Sequence, residues 1–298
     1  MVLTNYLTGD GDDVHVNTTI YKGFVWVNMS CSYDSVFTTL WMVYSTCGDQ
    51  IKKAFNDNLP FMGEMFTQMK NNTISAEEAN NNIRDYYYKP TLKNSYARGM
   101  YQSVQEIINH LLSQCIIPLY EEGQLDVFDI KTVCHKNCLL DSCELVSDLE
   151  SDKCINLSNS TNFTLRMTDM IEEHFKLQLV SYYCVNCRFQ IDLSYELVGC
   201  PMIAFICFTG AFVGRNLDID INIGIVGYTL LSALYLVGGS HFICRFNIDG
   251  MTYAYDGMVR KGVFQKVTIN PPFPGTTYDA DGTVLMSVQA VYYRRNEL

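Results

Sequence analysis

A chain of 298 residues carries 21 Lys and Arg against 32 Asp and Glu, a net charge of −11 (21 − 32) that argues against gripping a nucleic-acid backbone. Hydrophobic residues make up 48%, enough for a packed core, which excludes global disorder. With 19 Gly and 7 Pro, collagen-like and low-complexity chains are excluded as well.

Residues 1–13 show no basic segment and no apolar run, so no signal peptide is expected. Ser35 to Cys47 places Val36, Leu40, Val43 and Cys47 at helical spacing. Leu59-Pro60 breaks a helical stretch between Ile51 and Met69. Ser75, followed by Ala-Glu-Glu, caps a second helix. A third runs near Arg98 to Gln114 on the face Met100, Val104, Ile107, Ile108, Leu111 and Leu112. From about Glu122 to Cys154 the chain reads as short strands and turns. Ser151 to Thr164 is polar and reads as an exposed loop, and Thr168 to Phe175 as a short helix capped by Thr168. The remainder reads as β-strands separated by Gly and Asp-Gly turns. Ile223 to Ser240 has 18 residues without a charge, but its four glycines and scattered hydroxyls fit buried strands and a turn better than a membrane span.

Twelve cysteines are too sparse for a disulfide scaffold. Six N-x-[ST] sequons, at Asn17, Asn28, Asn71, Asn156, Asn159 and Asn162, read as chance matches in an Asn-, Ser- and Thr-rich chain. The expected setting is reducing and intracellular, in cytoplasm or nucleus, where clustered cysteines serve metals or catalysis.

Three positions carry the chemistry. Cys31 precedes the first long helix, where unpaired N–H groups and the positive dipole end favour the reactive thiolate. His241 opens a strand after Gly238-Gly239-Ser240. Asp256 closes the next strand, and a hairpin at Asn247-Ile248-Asp249-Gly250 lets it reach Nδ1 of His241. A thiol, a base and an acid that orients the base are what thiol acyl transfer requires.

These local contexts resemble the ubiquitin-specific proteases, a papain-like cysteine peptidase family. Cys31-x-x-x-Ser35 with Leu40 is similar to the family's Cys box. Tyr183-Cys184-Val185-Asn186-Cys187, behind the helix around Asp169, is similar to the second Cys pair of its zinc finger. Pro201 to Ile206 resembles the strand that follows. Tyr228-Thr229-Leu230 through His241-Phe242, then Tyr253-x-Tyr255-Asp256, resembles the His box, and Gln289 to Arg295 the closing strand. The wording around Cys31 looks like divergent members found in fungal genomes and mobile elements. Trp26 stands where the family has an Asn five residues before the Cys. Asn28 is therefore the nearest oxyanion donor, and Gly257 replaces the second acid.

The resemblance implies one α+β domain over 1–298 with a papain-like fold. Residues 24–122 would form a helical part, 123–200 a finger-like insert and 201–298 a β-rich part. The cysteine cluster suits a structural zinc, expected on Cys134, Cys138, Cys184 and Cys187, with His135 or Cys143 as possible substitutes. The implied activity is hydrolysis after the C-terminal glycine of ubiquitin or a ubiquitin-like modifier, with no nucleic-acid or membrane partner. The alternatives are an inactive modifier-binding module on the same scaffold and a mobile-element or viral-type protease with another substrate.

Overall fold

Residues Cys31–Thr46 form helix α1, and fourteen of its sixteen residues are buried. A helix covered on all sides must satisfy its polar side chains internally. Thr38 Oγ1 accepts from the Phe24 amide at 3.1 Å. Asn80 donates its side-chain amide to Asp34, and the Arg84 guanidinium lies 4.6 Å over the Tyr33 ring. The computed structural model describes residues 2–5, 18–21, 23–24, 31–88, 103–115, 127–138, 146–152, 154–158, 166–175, 178–183, 190–209, 216–259, 262–268, 272–275, 277–278 and 284–295.

Helices α2 (Asp49–Asn58) and α3 (Pro60–Lys70) divide at Leu59, because Pro60 lacks the N–H a continuous helix needs but suits a first turn. In α4 (Ala76–Tyr87), Ser75 Oγ caps the Glu78 amide at 3.1 Å. Helix α5 (Val104–Ser113) opens with a reciprocal Ser103–Glu106 capping box, later than the expected start at Arg98. Residues 98–102 of that expectation lie outside the described residues. All four helices pack against α1.

Strands β1 (Val2–Asn5) and β2 (Thr18–Tyr21) pair with each other. Within the range expected as a finger-like insert, β3 (Ile130–Cys138), β4 (Val146–Asp152), β6 (Gln178–Tyr183) and β7 (Gln190–Gly199) form a four-stranded antiparallel sheet, ordered β4-β3-β7-β6. The large sheet contains β5 (Ile155–Ser158), β8 (Ile203–Thr209), β10 (Val226–Val237), β11 (His241–Ile248), β12 (Met251–Tyr255), β13 (Gln265–Lys266) and β15 (Val284–Arg294). Its order is β13-β12-β11-β10-β15-β8-β5, with β9 (Asp220–Ile223) on β10 and β14 (Thr277–Tyr278) on β15.

Both faces of this sheet are covered. On β8, Phe205 and Cys207 join the core under the helices, while Ala204, Ile206 and Phe208 join a second core with α6 (Met167–Phe175). Two covered faces explain the long uncharged run as chiefly strand β10, since a strand buried on both sides reads as continuously apolar. Among the described residues, no helix is long and apolar enough to cross a membrane.

Two local expectations are corrected. The stretch read as an exposed loop contains β5, where Ile155 and Leu157 are buried and the strand runs parallel to β8. Two apolar residues spaced by two among Ser and Asn are enough for an edge strand. Helix α6 begins one residue before Thr168. Asp169 accepts from the Arg166 amide at 3.1 Å, and Thr168 Oγ1 instead accepts from Asn222 at 3.2 Å.

Candidate active site

Cys31 is the first residue of α1 and is only 5% exposed. Helix α1 packs on β11, and the contact is keyed by Cys244, whose thiol donates to Ser35 O at 3.4 Å and lies 3.9 Å from Thr39 Oγ1. These bonds set the helix start against the start of β11, where His241 stands. Strands β11 and β12 are joined by Asp249-Gly250, both with positive φ (50° and 73°), the signature of a two-residue hairpin turn matched to strand twist.

That hairpin brings Asp256 to His241, with Nε2 and Oδ1 at 3.0 Å and both side chains partly buried. The nitrogen differs from the expected Nδ1. Cys244 pairs with Tyr255, so Asp256 falls level with Ile243, short of His241 along the strand. The distal Nε2 spans that offset. The Cys31 thiol stands beside His241 as its second polar neighbour after Asp256. The structure therefore brings Cys31, His241 and Asp256 together.

The electrostatics follow from these contacts. The bond to Asp256, then the Cys31 thiol, outweigh burial and raise the His241 pKa to about 9. For Asp256, burial is the largest single influence and acts upward. Hydrogen bonds from His241 and from the Met258 and Val259 amides together overcome it and hold the carboxyl below its usual range. Two other thiols near this half of the molecule are silenced. Burial pushes Cys47 to about 11 and Cys244 to about 12.

The segment leading towards Cys31 is fixed from three sides. Tyr255 Oη donates to Phe24 O at 2.6 Å, Thr38 holds the Phe24 amide, and the Gly23 amide donates to Gly262 O at 2.9 Å. Gly262 has φ of +73°, and a Cβ there would stand 2.5 Å from Phe24 O, so the close approach needs glycine. Sequence reasoning did not assign Tyr255, Thr38 or Gly262 to the site. Tyr255 stood within the quoted Tyr-x-Tyr-Asp signature, but its bond to Phe24 is legible only in three dimensions. The proposed oxyanion donor Asn28 lies outside the described residues.

Of the expected zinc set, Cys134 and the backbone of Cys138 lie among the described residues. Cys134 and Cys138 lie four apart on the continuous strand β3, which separates their Cα atoms by about 13 Å. Sulfurs on one zinc, each bonded at about 2.3 Å, must lie much closer than two cysteine side chains could bring them across that distance. Cys134 is instead a buried thiol, 1% exposed, level with Tyr195 of β7. Cys138 is level with Ile191, and Tyr183 with Gln190, so the end of β3 and the ends of β6 and β7 lie at one end of the sheet. Residues Cys143, Cys184 and Cys187 lie outside the described residues, as do the side chains of His135 and Cys138. Among the described residues, no three His, Cys, Asp or Glu side chains form a metal-binding group.

Compared with known proteins, the sequence matches no protein-family model and no curated protein. Solved structures do match. The SAGA Ubp8/Sgf11/Sus1/Sgf73 DUB module bound to ubiquitin aldehyde gives a TM-score of 0.61 at 9% identity, over 92% of this chain and 70% of that one. The same module with a Cys-to-Ala change in Ubp8, bound to monoubiquitin, gives 0.60 at 10% identity, over 92% and 69%. The yeast module with an altered Sgf73 gives 0.61 at 10% identity, over 92% and 68%. At such identities the likeness establishes the fold, and this chain has the α+β, papain-like fold of the Ubp8-type deubiquitinase scaffold.

Proposed function

We propose that this protein is a thiol hydrolase that cleaves after the C-terminal glycine of ubiquitin or a ubiquitin-like modifier. The observation that carries the reading is His241 bonded to Asp256 through Nε2, with the thiol of Cys31, the first residue of α1, close enough to act on the same imidazole. Ubiquitin bound to the similar DUB module supports the choice of modifier.

In the proposed reaction the Cys31 sulfur attacks the carbonyl carbon of the modifier's terminal glycine. Its proton passes to His241, and the carbonyl π-electrons move onto oxygen. Asn28 or backbone N–H groups near the start of α1 stabilise that oxyanion. Collapse breaks the bond to the leaving nitrogen, which takes the proton from His241. Water, deprotonated by His241, then attacks the thioester and frees Cys31. Asp256 keeps the imidazole oriented and stabilises its charged form. A net charge of −11 suits a modifier tail carrying arginines.

For the finger-like part, the geometry of β3 favours zinc held by Cys138, Cys143, Cys184 and Cys187, with Cys134 left in the packing. Such a zinc would supply fold stability and no chemistry. The proposed setting is a reducing, intracellular one, in which these thiols stay free.

The test is a ubiquitin probe ending in a vinyl electrophile. The wild-type chain should form one covalent adduct, and Cys31→Ala should form none. Binding of ubiquitin without any adduct would assign the chain as a modifier-binding module instead.

A further inference from the structure

Cys244 of β11 and Tyr255 of β12 are cross-strand partners, one rung of the hairpin that carries His241 and Asp256. Both are keyed to α1, by separate routes. Cys244 reaches Ser35 O and Thr39 Oγ1 directly. Tyr255 reaches the helix through Phe24, whose carbonyl accepts from the Tyr255 hydroxyl at 2.6 Å and whose amide donates to Thr38 Oγ1 at 3.1 Å. Ser35 is followed by Thr38 and Thr39 at three and four residues, so the two routes end on one face of the helix that Cys31 begins. The fit is close. A Cβ at Gly23 would stand 2.5 Å from Thr38 Cγ2 and 2.6 Å from Tyr255 Cε2, so only glycine passes between those side chains.

A phenylalanine would fill the same core space as Tyr255. The hydroxyl adds the bond to Phe24 O. The ionisable groups that act on this hydroxyl are Asp34 of α1, Cys244 of β11 and Asp256. Burial, then the charge of Asp34, push the phenol well above its ordinary value, so it stays protonated and remains a donor. Tyr255 is the last residue of β12, and Asp256 follows it directly. Asp256 meets His241 across a register offset, so the contact depends on where the end of β12 is held. We infer that the Tyr255 hydroxyl is a positioning residue for the reaction: through Phe24 and Thr38 it fixes the end of β12, and with it Asp256, relative to the helix that begins at Cys31. The inference rests on the thiol-hydrolase reading above.

The experiment follows His241 in the full chain, through the basic limb of kcat/KM for a ubiquitin conjugate and through NMR titration of its ring protons. Tyr255→Phe should lower kcat about tenfold with KM unchanged, short of the roughly 10²-fold that a misplacement of about 1 Å can cost. Asp256 is the chief contact that raises His241, so loosening it should move both the limb and the ring titration to lower pH. Thr38→Val cuts the same tie at its other end and should act in the same direction. Thr38→Ser keeps the acceptor and should behave as wild type. In an Asp256→Asn background, Tyr255→Phe should move the titration no further, because its effect passes through the carboxylate. In a wild-type chain that forms the vinyl-probe adduct, a titration unmoved by Tyr255→Phe and Thr38→Val, even with a lowered melting temperature, makes the tie structural only. That result, or a further shift in the double variant, overturns this inference and leaves the hydrolase reading standing. A wild-type chain that forms no adduct and cleaves no conjugate overturns both.

Discussion

Cys31 and His241 lie 210 positions apart (241 − 31) and come together beside Asp256, whereas Cys134 and Cys138 lie four apart and their backbones are held about 13 Å apart along β3. The first pair meets because helix α1 packs on strand β11 and both residues stand where their elements begin. The second pair is held apart because β3 is extended throughout. Spacing in sequence thus predicts a shared site only once the intervening structure is known. Four residues would put two cysteines on one face of a helix or round one turn, but they span about 13 Å along a strand.

The most severe way to break this comparison is Cys31→Ala. Turnover of a ubiquitin conjugate should fall by about 10⁴-fold or more, since the bond-making atom is gone. Ubiquitin binding should persist, because a buried thiol offers little contact area. Activity retained in Cys31→Ala would sink the assignment. Neither Cys47 nor Cys244 is a ready substitute, as burial drives both thiols well above neutral pH.

A smaller loss than in Cys31→Ala is expected for Asp256→Asn, which keeps a hydrogen-bonding atom near Nε2 but not the charge. The diagnostic readout is the pH profile. Asp256 is the chief reason His241 titrates near 9, so removing its charge lowers that pKa. The basic limb of kcat/KM, where the leaving group loses its proton donor, should therefore move to lower pH. A limb that stays in place would detach Asp256 from the imidazole in solution.

In the finger-like part, elemental analysis should find about one zinc per chain in the wild type and in Cys134→Ala, and none in Cys187→Ser or Cys138→Ser. Loss of zinc in Cys134→Ala, with Cys138→Ser unaffected, would reverse the reading of β3.

Much of the half that holds Cys31, His241 and Asp256 was legible in the sequence, because its signals are local. Ser75 with Glu78 marks a cap, Pro60 a break and Asp249-Gly250 a hairpin, and each is realised. The partner nitrogen of Asp256 was not legible, since it depends on the register Cys244 to Tyr255. Strand β5 was hidden because it survives on parallel pairing with β8, a contact about fifty residues distant that no local pattern encodes. The bonds that hold Phe24 by Tyr255 and Thr38 were hidden for the same reason.

The smallest expected effect joins the His241–Asp256 contact to stability. His241 is raised from 6.5 to about 9 in the folded protein. A raised pKa means the folded state binds the proton more tightly. The contribution is therefore fully present below about pH 6.5 and is lost as pH rises through about 9. Asp256 is shifted the other way, so its contribution is present above 3.8, its ordinary value, and is lost as pH falls through the lowered folded value. One contact thus has two limbs, with its full effect between about pH 4 and 6.5. The measurement is the melting temperature of wild type minus that of Asp256→Asn across pH 3 to 10. The difference should be a few degrees on the plateau and should shrink towards both ends. A difference that stays constant across pH would mean that Asp256 supports the fold by packing alone, and that the charge shared with His241 contributes nothing to holding β12 against the start of β11.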